Sequence, residues 1–123
     1  MRFDIITIFP KMFEPVLNES IIKRAQAKNK VQICLHDLRD YTLDKHRKVD
    51  DRPFGGGSGM VMSVEPIVRA VESIAKKILP KSVSPAAQKG KSRKIKVILF
   101  SPQGRRLNQD LAKTLAKENN LIL

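Results

Sequence analysis

The spacing of hydrophobic positions changes several times along the chain, and each change marks an element. Arg2–Phe9 (RFDIITIF) is a short apolar, β-branched run, which predicts a buried strand ended by Pro10. Met12, Phe13, Val16 and Leu17 share one helical face, so Lys11–Leu17 predicts a helix. Ser20 is placed to cap a second short helix carrying Ile21, Ile22 and Ala25, with Asn29 closing it. Val31–Leu35 (VQICL) predicts a second strand. Strand, two helices and strand form a βαβ unit with a right-handed crossover. That makes the expected fold α/β, a mostly parallel sheet with flanking helices.

Periodicity is lost from His36 onward. Asp44–Met60 (DKHRKVDDRPFGGGSGM) has no apolar run and no period of strand or helix, so it predicts neither. A helix follows over Val64–Leu79, where Val64, Ile67, Val68, Val71, Ile74, Ala75 and Ile78 repeat at helical spacing. Glu65 and Pro66 suit its first turn, Lys76 and Lys77 its last, and Pro80 stops it. Ile95–Phe100 (IKVILF) predicts a third strand, with Ser101-Pro102-Gln103-Gly104 turning after it. Asn108 caps a last helix built on Leu107, Leu111 and Leu115. Leu121–Leu123 reads as the opening of a fourth strand. A chain seldom stops there, so the expectation is a longer native domain. Residues 1–123 make a single α/β domain on this reading, with a charged glycine-rich loop over 38–59 and a basic mobile loop over 81–94.

Charge narrows the partners. Lys and Arg number 24 against 12 Asp and Glu, a net charge of +12, which points to a polyanion such as nucleic acid. Cys34 is the only cysteine, which excludes a disulfide framework and a thiolate zinc site and implies a reducing compartment, the cytoplasm. No stretch approaches the roughly 20 apolar residues of a membrane span, and Asp4 interrupts the N-terminal run that a signal peptide would need.

Gly55, Gly56, Gly57 and Gly59 permit positive φ and close backbone approach to a ligand. Their N–H groups could line a concave anion or base site; the alternative is a flexible linker, against which Pro53, Phe54 and Met60 argue. A P-loop is excluded: Gly90-Lys91-Ser92 has Pro85 where that motif needs glycine, and a strand follows it. Arg47 is a natural phosphate clamp. Asp50 or Asp51 could accept a proton, hold Mg²⁺ through water or bond a base edge, against the plainer alternative of a solvated charged loop. His46 alone is weak support for a base. Ser101–Gly104 lies beyond the carboxyl end of a strand, where open α/β sheets bind ligands, although an ordinary turn reads the same way.

These stretches together resemble the bacterial tRNA (guanine-N1)-methyltransferases, members of the knotted SPOUT methyltransferases. FDIITIFPKMF resembles that family's strand-Phe-Pro-x-Met-Phe opening. HDLRDYTLDKHRKVDDRPFGGGSGM resembles its R-D-F/Y-T-x-D-x-H-x-x-V-D-D-x-P-F/Y-G-G-G-x-G-M signature. Glu65-Pro66 and VILFSPQGRRL follow in the family's order.

The resemblance implies the N-terminal part of a trefoil-knot SPOUT domain without the knot. It implies methylation of the guanosine next to the anticodon of tRNA, with S-adenosylmethionine as cofactor. It also implies a homodimer with the site between subunits. His46, Arg47, Asp51, Pro53, Phe54, Gly55, Gly56, Gly57, Ser58 and Gly59 would bind substrate, and Leu99, Phe100, Ser101, Pro102 and Gln103 would bind the cofactor. Asp50 would be a supporting carboxylate, for the guanine or for Mg²⁺, with the general base beyond residue 123. Arg47, Arg52, Arg105 and the lysines of 81–94 would meet tRNA phosphates. The 123-residue chain by itself would then neither turn over nor bind the cofactor tightly. Two other classes stay open: a non-enzymatic basic RNA-binding module on the same frame, and a nucleotide-binding enzyme using the glycines for phosphate.

Overall fold

A computed structural model of the chain describes residues 1–79 and 95–123; the basic loop expected over 81–94 lies outside them. In chain order the elements are β1 (Arg2–Thr7), α1 (Pro10–Leu17), α2 (Ser20–Ala27), β2 (Gln32–Asp37), a 3-10 turn (Leu38–Tyr41), β3 (Asp50–Asp51), β4 (Val61–Met62), α3 (Val64–Ile78), β5 (Ile95–Val97), α4 (Gln109–Leu115) and β6 (Asn120–Ile122). Among the described residues, four strands form a parallel sheet in the order β2-β1-β6-β5, and β3 and β4 form a separate antiparallel pair. The expected α/β class and parallel sheet are what the chain forms.

Alternation along β1 explains how the two faces are covered. Ile6 faces α3 and packs against Ile74, Ile78 and Ile122 on one side and Leu38, Val49 and Ala70 on the other. Phe3 and Ile5 point the opposite way and, with Ile21, Ile22 and Ala25 of α2 and with Val31 and Ile33, line an apolar cleft of about 310 Å³. Helices therefore lie on both faces, as parallel strands require. The short β6 is wholly buried between β1 and β5, which accounts for its unbroken apolar pair Leu121-Ile122.

Several boundaries differ from the sequence expectation, each for a local reason. β1 stops at Thr7, because the Phe9 N–H turns back to Thr7 Oγ1 and Pro10 opens α1 instead of merely ending the strand. Ser20 is not a cap. It sits at φ +48 as the first residue of α2, and the extended Glu19 precedes it without a capping bond. Asn29 does close α2: at φ +53 it donates to Gln26 O, and Lys30 donates to Ala25 O, a Schellman ending.

β2 runs on through His36 and Asp37, where the apolar pattern is already lost, because His36 finds polar partners inside the fold. β5 stops at Val97 rather than Phe100. Its last bond to β6 runs from the Ile98 N–H to Ile122 O, and Leu99 and Phe100 are 80% and 74% exposed. The glycine loop predicts no strand, yet Asp50–Asp51 pairs with Val61–Met62, so the loop has a rung on each side of its tip.

Candidate functional site

Three segments leave the carboxyl ends of the parallel strands. Phe9 follows β1, the 3-10 turn and glycine loop follow β2, and Ile98–Gly104 follows β5. This is the edge at which open α/β sheets bind ligands.

The arm entering the glycine loop is tied down. Asp37 accepts from the Arg39 N–H at 2.9 Å and starts the 3-10 turn. The Arg39 guanidinium bonds Ile8 O at 2.5 Å and stands 5.9 Å over the Phe9 ring. Asp40 forms an ion pair with Arg47, which sits at φ +56 and also reaches Arg39 O. The Asp44 carboxylate accepts from Lys48 N at 3.0 Å and His46 N at 2.7 Å; chiefly the Lys48 bond, then the His46 bond, hold its pKa below the ordinary value. Val49 is 2% exposed in the core beneath the loop, and its carbonyl accepts from the Ser63 N–H at 2.8 Å.

The tip is different. Gly55, Gly56, Gly57 and Gly59 stand at φ +81, +83, +127 and +89, conformations that side-chain-bearing residues avoid. Open space surrounds three of them, and Phe54, Ser58 and Gly59 are exposed. Gly56 N–H closes a turn onto Pro53 O at 3.1 Å.

Asp50 is half-buried, and among the described residues its carboxylate has no hydrogen bond or ion pair. Asp51, its neighbour in β3, is exposed and accepts from Arg52 N at 2.7 Å. Successive strand residues face opposite sides, so the two carboxylates do not converge. Among the described residues no group of three or more His, Cys, Asp or Glu could hold a metal ion.

On the other flank, Ser101–Gly104 is a tight turn. Gly104 N donates to Ser101 O at 3.0 Å, and Gln103 N donates to Ser101 Oγ at 3.2 Å. Gln103 and Arg105 are exposed. Three strand spacings, about 14 Å, separate β2 from β5, so the two expected walls share an edge but spring from opposite flanks of it.

Sequence reasoning missed a buried polar chain under this edge. Asp4 is 0% exposed; Arg2 Nε and a terminal nitrogen bond its two oxygens at 2.7 and 2.8 Å, and His36 Nε2 lies 2.8 Å from Oδ1. His36 Nδ1 is 3.0 Å from the Tyr41 hydroxyl. Burial raises the Asp4 pKa, but the Arg2 and His36 bonds together outweigh it and hold the carboxyl below its ordinary value. Burial first, then Asp40 and Asp4, push the Tyr41 phenol up. One signal was legible: a lone Asp inside an apolar strand, with His36 at the matching position two residues beyond its register partner Cys34.

The sheet, its crossovers and its loop-bearing edge define a SPOUT-type methyltransferase frame. Over 99% of its length the chain superposes on the crystal structure of a tRNA (m1G37) methyltransferase from Aquifex aeolicus, with a TM-score of 0.74 and 31% identity, covering 49% of that protein. The chain belongs to the tRNA (guanine-1)-methyltransferase family, whose model, described as tRNA (Guanine-1)-methyltransferase TrmD, matches residues 1–123. Proteins named tRNA (guanine-N(1)-)-methyltransferase are 46% identical in Ruminiclostridium cellulolyticum and 48% identical in Dictyoglomus turgidum, each aligned over all 123 residues. The chain spans about half the length of these relatives, 47% and 44% respectively. No helix among the described residues is long and apolar enough to cross a membrane.

Proposed function

We propose that this chain forms the guanine side of an S-adenosylmethionine-dependent tRNA (guanine-N1)-methyltransferase acting on the guanosine next to the anticodon. The observation that carries the reading is the family match over residues 1–123, which includes the whole HRKVDDRPFGGGSGM loop. The left-handed glycines give this loop a backbone that a planar base can approach closely.

Leu99–Gln103 fits one wall of a cofactor site: two exposed apolar side chains, then a turn whose exposed Gln103 carboxamide suits an adenine edge. S-adenosylmethionine, when bound, supplies an electrophilic methyl group. Guanine N1 carries a proton at neutral pH, and a base must take it as the methyl arrives. Asp50, whose carboxylate has no partner among the described residues, supports the guanine, and the base itself comes from outside residues 1–123; the described residues do not fit a Mg²⁺ site. Arg52 and Arg105, both exposed, are our candidates for tRNA phosphates, with Arg47 beside them in its ion pair with Asp40. Donor and acceptor must come within about 3.5 Å. Because the two walls spring from opposite flanks, we assign them to one composite site in a homodimer, the glycine loop of one protomer facing the cofactor wall of its partner. Such an enzyme works in the cytoplasm, where tRNA is processed.

The test is binding of two tRNA transcripts that differ only at the nucleotide 3′ of the anticodon, measured against salt. Preference for guanosine over adenosine there, lost in Gly57→Val, supports the reading. Equal, salt-sensitive affinity for both would instead favour a non-enzymatic RNA-binding module.

A further inference from the structure

The chain Arg2–Asp4–His36–Tyr41 commits buried charge to something other than substrate contact. Asp4 is wholly buried, and both of its oxygens are engaged. As a carboxylate it only accepts, so the hydrogen on the bond to His36 belongs to Nε2. That leaves Nδ1 for the Tyr41 hydroxyl, 3.0 Å away, a group that can donate or accept. The wire is fully satisfied, and no buried side-chain polar atom among the described residues lacks a partner.

Its far end is Tyr41, the last residue of the 3-10 turn. Asp40, beside it, holds Arg47, and Leu38, at the start of the turn, packs against Val49. The turn thus touches both the wire and the arm of the glycine loop. Bonds at Arg39, to Asp37 and to Ile8 O, fix the start of the turn. The Tyr41–His36 bond is the directional contact that ties its far end into the sheet.

We propose that His36 and Tyr41 are positioning residues: anchored on Asp4 and Arg2, they lock the Leu38–Tyr41 turn to the sheet and thereby hold the Arg47–Val49 arm that presents the glycine loop. The functional value of this lock rests on the guanine-side reading above; the mechanical coupling does not.

Amide hydrogen exchange on the 123-residue chain tests it. Tyr41→Phe removes one hydroxyl and leaves His36 Nδ1 without its partner. Exchange at Arg47 and Ser63, whose amides bond Asp44 O and Val49 O, should speed up about tenfold. Lys30, in the α2 ending, should keep its wild-type rate. Asp40→Ala removes the acceptor of Arg47 and so cuts the next link; it should give the same local loosening, and the double variant should loosen the arm no further than either single one. The His36 side-chain ¹⁵N shifts should move in Tyr41→Phe and stay put in Asp40→Ala. Unchanged rates at Arg47 and Ser63, or an equal rise at Lys30, would overturn the coupling. If the coupling holds, tRNA affinity should fall several-fold in Tyr41→Phe at an unchanged salt slope. Wild-type chain that shows no guanosine preference while the exchange pattern appears would refute the guanine-side reading and leave the lock standing.

Discussion

The two flanks of the carboxyl edge are built on opposite plans. On the β2 side the chain is anchored before it is exposed: Asp40 grips Arg47, Val49 is sunk in the core, and β3 pairs with β4 before the glycine tip projects. On the β5 side the apolar residues Leu99 and Phe100 project immediately after the last sheet bond, and bonds within the Ser101–Gly104 turn follow. The first plan holds a loop in one shape. The second leaves apolar side chains open to solvent. Apolar side chains are core on one flank and exposed surface on the other.

The largest expected effect removes the frame that both flanks share. Ile74 is fully buried under Ile6 and Ile122, and Ile74→Ala should cost about 4 kcal/mol in urea unfolding. A cost under about 1 kcal/mol would mean that the flanks do not share one core.

Asp4→Asn strikes the anchored flank through its buried wire. It leaves Arg2 without its counter-charge, and should cost about 3 kcal/mol at pH 7. The sign of the pH dependence follows from the depressed pKa. Asp4 contributes stability above its unfolded value, about 3.9, and loses it as pH falls through the lower folded value. Wild-type stability should therefore drop below about pH 4 more steeply than that of Asp4→Asn. Parallel curves would show that Asp4 is not the group responsible.

A paired test isolates the flanks themselves. Val49→Ala removes buried volume and should cost about 2 kcal/mol, whereas Phe100→Ala removes a larger but exposed side chain and should stay within about 0.5 kcal/mol. Equal costs would erase the contrast.

The same contrast explains what was legible in the sequence. The sheet was legible because β1 and β2 half-bury their apolar residues and β6 buries its own, and α3 because its apolar stripe matches the helical period. Asn108 was legible as a cap, and its side chain does accept from Leu111 N at 2.8 Å. IKVILF misled because Leu99 and Phe100 look like strand core and serve a surface. Val49 hid among charges, since one buried residue in a polar run has no period. Asp4 and His36 gave separate, weak signals; only the parallel register puts them on one face within 2.8 Å. The glycines were readable as a positive-φ tip, but their anchoring through Asp40 and Arg47 depends on contacts that the spacing does not encode.

The smallest expected effect compares glycine with glycine across the two flanks. Gly55 sits at φ +81 with open space where an added methyl group would stand, so Gly55→Ala meets only backbone strain, about 1 kcal/mol. Gly104 has no left-handed φ, but a Cβ there would stand 3.0 Å from Ser101 O, the very atom that accepts its N–H. Gly104→Ala must therefore open the Ser101–Gly104 turn by a few tenths of an ångström. Because that turn is exposed, the unfolding free energy should barely move, under about 0.5 kcal/mol. The Gly104 amide should nonetheless exchange faster, as its bond to Ser101 lengthens. Strain on the anchored flank is thus read in stability, and strain on the open flank in local geometry alone. A stability loss at Gly104→Ala equal to that at Gly55→Ala would show that the Ser101–Gly104 turn is as tightly coupled to the core as the glycine loop.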